Sequence, residues 1–250
     1  MKIRNKLSKK LFDFVLAAIG LIVLSPLLII ITIAIWFQDF KSPFYISDRV
    51  GKNEKIFKII KLRSMVMGAD KKGIDSTSVN DTRITRVGKI VRKYKLDEIS
   101  QLVNVLKGDM SLVGPRPNVK RETDIYTAEE KKLLEVKPGI TDFASIVFAD
   151  EGVILANQSD PDIAYNQLIR PGKSKLGLFY VKNQSLFLDL QILVLTLLTI
   201  ISRKNALKFS AKLLKRNSAD EELITLSSRK KVLIPTPPPG SNKIVTTRAT

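Results

Sequence analysis

The sequence predicts an α+β membrane protein with an apolar N-terminal helix, interfacial amphipathic helices and a small domain that contains a short β element. No charged residue occurs from Phe14 to Gln38, a run longer than the ~20 apolar residues that a bilayer-spanning helix needs. Residues 43–65 indicate a short β element around a turn at Gly51-Lys52-Asn53. The predicted organisation is a membrane helix with a basic flank at 1–40, a main domain that includes the interfacial helices at 41–202, and a basic, then proline-rich tail at 203–250.

Composition excludes several kinds of chemistry. The chain has neither cysteine nor histidine, so disulfides, zinc sites of the Cys or His type, thiolate nucleophiles and imidazole bases are excluded. Catalysis would have to use carboxylates, lysine, arginine, hydroxyls or an oxygen-ligated ion such as Mg²⁺. The formal net charge of +18 attracts polyanions, namely nucleic acid, anionic lipid or phosphorylated substrates. The apolar segment favours anionic membrane lipid over nucleic acid.

The N-terminal helix contains a Ser25-Pro26 pair near its middle. Proline removes a backbone hydrogen bond there, and Ser25 can donate its hydroxyl to a freed carbonyl. The helix is therefore either a spanning helix with a tolerated kink or a broken, re-entrant helix that returns to the leaflet it entered. Basic residues flank both sides, at 2–10 and 41–58, and a spanning helix would place one flank outside, against the positive-inside tendency. The charge pattern favours re-entry and a monotopic protein.

The short β element is predicted at residues 43–65, and a loop rich in glycine and polar residues at 66–82. Lys61 and Arg63 are two residues apart, so on a strand their side chains point the same way. They form either a solvated strand face or a paired cationic clamp for a diphosphate.

A carboxylate pair follows a basic helix predicted at 85–95, whose Arg92 lies on the polar side. Asp97 and Glu98 fall at the first turn of the next helix, where backbone N–H groups are unpaired and the helix dipole is positive. Two carboxylates there can hold a divalent cation, attack phosphorus or simply cap the helix. Arg116 lies between two prolines, so its guanidinium is presented from a stiff, extended segment that suits bidentate phosphate binding.

The remaining segments mix short elements with a second apolar helix. Gly108 is predicted to end the helix of the carboxylate pair with a left-handed cap. Leu186–Ile201 is apolar but short, so we expect a helix packed on the domain or lying in the membrane interface, with a second span as the alternative. The other predictions are a polar helix at 127–136, a turn at 138–141, a short strand at 143–147, a short helix from 160, an amphipathic helix on anionic lipid at 203–216 and a disordered tail from 227.

Five short segments occur in an order that is informative about the family of this chain. They are Ser25-Pro26, Lys61–Met65, Leu96–Glu98, Gly108–Pro117 and Lys137–Thr141. Together they resemble the bacterial phosphoglycosyl transferases of the monotopic, polyprenol-phosphate type, often called sugar transferases, in their short form. The resemblance covers residues 8–202, and the fourth segment is its most specific marker.

The resemblance implies a re-entrant membrane helix and a catalytic domain on the cytoplasmic face of the bacterial inner membrane. It implies that Asp97 attacks the β-phosphorus of a UDP-sugar, releases UMP and holds the sugar phosphate as an acyl phosphate. A polyprenol phosphate, expected to be undecaprenyl phosphate, then attacks this intermediate to give a polyprenyl diphosphate sugar. Glu98 would hold Mg²⁺, and the phosphates would be bound by Lys61, Arg63, Arg92 and Arg116.

The resemblance also bears on pathway and specificity. Members of this family begin capsule, O-antigen, exopolysaccharide and some glycoprotein glycans, which implies downstream glycosyltransferases as partners. Asp142–Ser145 stands where many relatives have a glycine and then a different sequence, so it bears on the choice of sugar. The segment beyond Ile201 has no counterpart in the family pattern.

Two alternatives stay open at this point. The charge of +18 and the basic tail suit a membrane-tethered scaffold or a nucleic-acid-binding protein without catalysis. Only 7% of the residues are aromatic, which leaves few side chains for stacking on bases. The second alternative is an inactive relative within an assembly, and the intact Asp97, Glu98 and Arg116 argue against it.

Overall fold

The structure, a computed structural model, describes residues 4–72 and 76–247. Residues 1–3 of the predicted basic flank, 73–75 of the predicted loop and 248–250 of the tail lie outside the described residues. Within them the chain is α+β, as predicted, with eleven α-helices and four strands.

The elements follow one another in this order. The α-helices are α1 (Arg4–Trp36), α2 (Arg86–Lys93), α3 (Leu102–Lys107), α4 (Lys120–Asp124), α5 (Phe143–Val147), α6 (Glu151–Ile154), α7 (Pro161–Ala164), α8 (Arg170–Asn183), α9 (Leu186–Ile201), α10 (Arg203–Arg216) and α11 (Glu221–Ser228). The strands are β1 (Phe44–Val50), β2 (Ile56–Leu62), β3 (Ser111–Val113) and β4 (Gly139–Thr141). Short 3-10 helices cover Lys52–Glu54, Ala69–Lys72, Leu96–Gln101 and Glu130–Glu135, and a π-helix covers Tyr165–Ile169.

Helix α1 is, among the described residues, the one helix long and apolar enough to cross a bilayer. It is helical on both sides of Pro26. Because Pro26 has no N–H to donate to the Ile22 carbonyl, that carbonyl is left free, and the Ser25 hydroxyl donates to it at 2.7 Å. The predicted break of the helix at Ser25-Pro26 is therefore wrong: one hydrogen bond is replaced, and α1 continues through both residues.

One side of α1 contacts the rest of the protein along nearly the whole length of the helix. Near its start, the Lys9 ammonium lies 2.7 Å from the Asp189 carboxylate of α9. Near its end, Ile35 is fully buried in a small cluster with Leu62 and Val91. The other side of α1 exposes large apolar side chains along both halves.

Four strands form two small sheets. β1 and β2 pair antiparallel, which confirms the predicted β element. β3 and β4 pair in parallel, with Ser111 opposite Gly139, where the sequence predicted only a turn. A Cβ atom on Gly139 would lie 2.0 Å from the Gly114 backbone nitrogen. Only glycine therefore allows the two segments to approach this closely.

The main hydrophobic core joins α1, α3, β3, α5 and the C-terminal helices α8 to α10. Phe143 and Tyr180 are its largest buried side chains. The Tyr180 hydroxyl donates to Asp189 at 2.7 Å, which satisfies the polar end of a core side chain. The core also includes residues of β3, the strand that leads into the Pro-Arg-Pro segment, and so holds this strand in place.

The strand predicted at 143–147 is wrong, because these residues form α5. Asp142 caps the helix by accepting a hydrogen bond from the Ser145 backbone N–H at 2.7 Å. Four of the five helical residues are buried. A short apolar run that is buried on most sides carries no periodicity from which a helix and a strand can be distinguished. The polar helix predicted at 127–136 is present as the 3-10 helix Glu130–Glu135.

Helix α9 has the bounds that the sequence predicts. Its buried side packs on the domain, and its opposite side carries an exposed apolar stripe at helical spacing. We call this the α9 stripe; it consists of Phe187, Leu190, Val194, Leu197 and Ile201.

The C-terminal region differs from its prediction in two ways. α10 forms where an amphipathic helix was expected, but Leu207, Leu213 and Leu214 are buried against the protein and not free to enter lipid. The segment after α11 returns to the domain, where the Thr236 N–H donates to the Gln167 carbonyl at 3.1 Å. Polar, proline-rich composition favours disorder, yet an extended segment still offers backbone groups for such contacts.

Candidate active site

The two carboxylates lie at the start of the 3-10 helix Leu96–Gln101, in the turn that the sequence predicts. Lys95, just before it, has a left-handed backbone conformation (φ 54°) that turns the chain out of α2. Ser100 anchors the helix to β2, because its hydroxyl donates to the Ile60 carbonyl at 3.1 Å. Gly108 ends α3 in the predicted left-handed conformation, with φ 84°. The two carboxylates therefore lie between Lys95, with its left-handed backbone, and the part of the helix that is anchored to β2.

Lys61 reaches the carboxylates from the neighbouring strand. The Asn104 side chain locks β2 in place by accepting from the Ile60 N–H at 3.0 Å and donating to the Lys58 carbonyl at 2.7 Å. The Lys61 ammonium then lies 4.0 Å from the Glu98 carboxylate. Buried side-chain to backbone bonds of this kind fix a strand against a helix, so Lys61 is positioned by the fold.

Arg116 comes from the segment between the two prolines. The Gly139 N–H donates to the Pro115 carbonyl at 3.0 Å, which fastens this segment to β4. The Arg116 guanidinium lies 2.6 Å from the Glu98 carboxylate, and its side chain keeps 37% of its surface exposed. It can therefore hold the carboxylate and still present N–H groups to a ligand.

The charge of Arg92 acts on the pKa of Asp97 in the lowering direction, against the larger raising effects of burial and of Glu98. Arg63 does not belong to this site. Arg63 is 4% exposed and makes a bidentate ion pair with Asp39, both contacts being 2.6 Å. The expected clamp of Lys61 and Arg63 is therefore wrong, because Asp39 takes the charge of Arg63 while Lys61 lies near Glu98.

The pKa values of the two carboxylates are shifted in opposite directions. Burial, followed by the neighbouring Glu98 charge, raises the pKa of Asp97 above its ordinary value. Burial alone would also raise the pKa of Glu98, but Arg116, Lys61 and Lys95 lower it to about 2. Burial and the charge of Arg116 lower the pKa of Lys61 to about 8. Glu98 is thus a fixed anion, while Asp97 is a less stabilised and more basic one.

A second layer of charged groups surrounds the site and was missed by the sequence analysis. The Lys95 ammonium donates to the Ser145 carbonyl at 3.1 Å, which links the carboxylate turn to the start of α5. Glu151 and Lys173 form an ion pair, and Lys173 lies 5.1 Å from the Tyr165 ring centre. The sequence held no signal for the contact of Lys95 with Ser145 or of Glu151 with Lys173, because these residues are 50 and 22 positions apart in the chain.

The donor set suits Mg²⁺ only in part. Within the described residues no group of three acidic side chains is placed to hold a metal ion. Mg²⁺ commonly binds through one or two carboxylates together with the phosphates of a substrate, and the two adjacent carboxylates fit that mode. Two cations, Lys61 and Arg116, already pair with Glu98. A divalent cation would therefore be bound well only together with an anionic ligand.

Comparisons with known proteins identify the family of this chain. A family model described as bacterial sugar transferase matches residues 4–203. The chain is 34% identical to a UDP-N-acetylgalactosamine-undecaprenyl-phosphate N-acetylgalactosaminephosphotransferase of Aeromonas hydrophila, over 78% of this chain and 44% of that protein.

This chain covers a larger share of two further relatives than of the Aeromonas protein. One is an uncharacterized sugar transferase, EpsL, of Bacillus subtilis, which is 38% identical over 77% of this chain and 87% of that protein. The other is a UDP-glucose:undecaprenyl-phosphate glucose-1-phosphate transferase of Caulobacter vibrioides, which is 32% identical over 80% of this chain and 72% of that protein. The chain thus spans less than half of the Aeromonas relative and most of the other two.

Proposed function

This chain belongs to the bacterial sugar transferase family, and on that premise we propose that it transfers a sugar 1-phosphate from a UDP-sugar to undecaprenyl phosphate. The observation that carries the proposal is the pairing of Lys61 and Arg116 with Glu98, directly beside Asp97. A carboxylate cannot approach a diphosphate unless cations offset the repulsion between them. The names of the relatives, which specify undecaprenyl phosphate and different sugars, support this substrate class.

In the first step, a carboxylate oxygen of Asp97 attacks the β-phosphorus of the UDP-sugar. The bond between this phosphorus and the bridging oxygen breaks, UMP leaves, and the sugar phosphate stays on Asp97 as an acyl phosphate. The raised pKa of Asp97 suits this role, since a more basic carboxylate is the better nucleophile. Glu98 is held by two cations and is unsuited to attack.

In the second step, an oxygen of undecaprenyl phosphate attacks the same phosphorus. The bond to Asp97 breaks, the carboxylate is released, and the product is undecaprenyl diphosphate sugar. Covalent catalysis divides one difficult transfer between two anions into two displacements at a single cationic site. Arg116 is half-exposed and remains available to bind phosphate in both steps.

Glu98 is the residue that would hold Mg²⁺, and Asp97 lies beside it. When bound, Mg²⁺ neutralises phosphate charge and polarises phosphoryl oxygens. Glu98 also pairs with Arg116 and orients its guanidinium. One carboxylate would therefore serve both the metal ion and this arginine.

Two features support a monotopic arrangement with the site on the cytoplasmic face. About 39 Å of helix separate Lys9 from Ile35, at 1.5 Å per residue, yet both contact the same domain. A helix that crosses the bilayer carries its far end to the other side of the hydrocarbon layer, away from such a domain. Basic residues flank both ends of α1, which suits one cytoplasmic side for both. The α9 stripe offers a second apolar surface for the interface.

The function is tested with detergent-solubilised protein, Mg²⁺ and undecaprenyl phosphate. A panel of UDP-sugars is added one at a time, and UMP release and the lipid-linked product are measured. We expect one or a few sugars to give both products in equal amounts. No UMP release with any sugar would contradict the proposal. The panel also identifies the sugar.

Lys61 is expected to give the reaction a basic limit near pH 8. Its pKa is lowered to about 8, so its positive charge is present below that pH and is lost as the pH rises through it. The KM for the UDP-sugar should therefore increase above pH 8. A Lys61→Arg variant keeps its charge at higher pH and should shift this limit upward. The measurement is KM against pH, and a Lys61→Met variant, uncharged throughout, should show a high KM with no such limit. An unchanged basic limit in Lys61→Met would contradict the role of Lys61.

Glu98→Gln is expected to raise the Mg²⁺ concentration needed for half-maximal activity by about tenfold or more. The amide keeps the size of the side chain but removes the charge that attracts the metal ion and pairs with Arg116. Magnesium titrations of UMP release provide the measurement. Glu151→Gln is the matched control, because Glu151 is a paired carboxylate outside the dyad. Identical titration midpoints for wild type and Glu98→Gln would contradict the assignment of Glu98.

A further inference from the structure

Helix α10 carries a continuous cationic surface on the side that faces away from the protein. Its buried residues, among them Ala206, Leu207 and Leu214, pack on α5, α9 and α11. On the opposite side, lysines recur every three or four residues, so they lie in line along the helix. We call this surface the lysine face; it consists of Lys204, Lys208, Lys212, Lys215 and Arg216, all exposed.

The lysine face has no internal counter-charge. In the part of the chain that the structure describes, no ion pair joins any of its five residues to a carboxylate. Lysines elsewhere, such as Lys120, Lys173 and Lys175, do have acidic partners. Five like charges on about four helical turns repel one another, which costs stability unless an anionic partner binds there.

The position of the lysine face points to lipid as that partner. A single residue, Ser202, separates α10 from α9, whose stripe ends at Ile201, the most exposed residue of that stripe at 84%. The first lysine of the face follows three residues later, so cationic surface begins where exposed apolar surface ends. Apolar residues flanked by lysines are typical of helices at a membrane surface, where lysines contact anionic headgroups.

Other anionic partners fit less well. Phe209 is the one exposed aromatic residue among the described residues of α10, so the helix offers no row of rings on which bases could stack. The apolar side of α10 is used within the protein, so the helix cannot insert into the acyl chains. Contact with a bilayer would therefore be electrostatic and restricted to headgroups.

We propose that the lysine face of α10 docks on the anionic headgroups of the membrane that α1 and α9 enter. This inference rests on the membrane placement given under the proposed function, and it adds an anionic-lipid contact from a helix that lies almost entirely beyond the family match at 4–203. Docking holds the C-terminal helices, and the domain packed on them, at the surface where the lipid substrate is found. Each basic residue near an anionic membrane raises the association constant about fivefold.

The chain has no cysteine, so a single cysteine at the exposed Asn205 can carry a fluorophore beside the lysine face. The labelled full chain is placed in lipid nanodiscs of phosphatidylcholine, with and without phosphatidylglycerol, that contain a headgroup-linked quencher. We expect quenching to increase when phosphatidylglycerol is present and to decline at about 1 M salt, where screening acts within roughly 3 Å. Equal quenching in neutral and anionic discs would overturn the proposal.

Two variants identify the residues responsible. In the first, Lys204, Lys208, Lys212 and Lys215 are replaced by glutamine, and each change should weaken the contact about fivefold, so that the added quenching is lost. The second removes the same charge at exposed lysines elsewhere, at Lys55, Lys120, Lys131 and Lys132, and should keep the added quenching. Quenching that survives the first variant would overturn the proposal, and melting curves check that both variants are folded.

The test separates this proposal from the proposed function. UMP release in detergent requires no bilayer, so its absence contradicts the transferase and not the lipid contact. A fluorescence change that depends on protein concentration in detergent, with no response to phosphatidylglycerol, would identify a second copy of the chain as the occupant and overturn the proposal.

Discussion

Replacement of Asp97 by asparagine is expected to reduce UMP release by at least about 10⁴-fold, since the amide cannot form an acyl phosphate. The change keeps the shape of the side chain, so donor binding should persist. The direct measurement uses the UDP-sugar without undecaprenyl phosphate and detects the sugar phosphate on the intact protein by mass spectrometry. Wild type should carry the adduct, and Asp97→Asn should not.

Asp142→Asn is the matched control for this experiment. Asp142 is a buried aspartate near the site whose pKa is raised by burial, as is that of Asp97, but its carboxylate caps α5. An asparagine can still accept the capping hydrogen bond, so the adduct on Asp97 should form.

In wild type, adduct formation should decline as the pH falls through the raised pKa of Asp97, at a higher pH than for an ordinary aspartate. If Asp97→Asn released UMP at the wild-type rate, the assignment of Asp97 as the nucleophile would be wrong.

Arg116→Met is expected to lower kcat/KM for the UDP-sugar by about 10²- to 10³-fold, the usual effect of removing one donor that stabilises charge in the transition state. The variant also leaves Glu98 without its closest cation, 2.6 Å away in the wild type. Arg116→Lys keeps a charge but lacks the planar fork, so its activity should lie between the two. The measurement is steady-state UMP release by the three proteins.

Stability measurements separate the catalytic from the structural effect of Arg116. Since its side chain is partly exposed, loss of the ion pair should cost about 1 kcal/mol. The lowered pKa of Glu98 gives stability that is present above its ordinary pKa of 4.5 and is lost as the pH falls toward about 2. A double variant, Arg116→Met with Glu98→Gln, should regain stability but not activity. Recovery of activity in the double variant would show that Arg116 serves only to neutralise Glu98.

Several local features were predictable because each depends on a few neighbouring residues. The uncharged N-terminal run, the left-handed cap at Gly108 and the bounds of α9 are set by spacing and composition. The Ser25 hydroxyl replaces the bond that Pro26 removes, as expected from covalent structure alone. The placement of two carboxylates at a helix start also followed from local pattern.

Features that depend on distant residues were not predictable. Arg63 and Lys61 are two residues apart, yet Asp39 from the turn after α1 takes the charge of Arg63, while Lys61 lies near Glu98. The apolar run at 143–147 became a helix because Asp142 caps it and the core encloses it. α10 was expected to face lipid with its leucines, but the protein itself buries Leu207, Leu213 and Leu214 and leaves a mainly basic surface outside.

The sequence by itself determined which side chains this protein can use for chemistry, namely carboxylates, lysines, arginines and hydroxyls, because the absence of cysteine and histidine excludes thiolates and imidazoles. The tertiary structure alone decided which cations meet the carboxylates and which side of each helix stays exposed. The physical reason is that side-chain direction and burial depend on how elements some 20 to 180 residues apart pack together, as in the pairs Arg63 with Asp39 and Lys9 with Asp189.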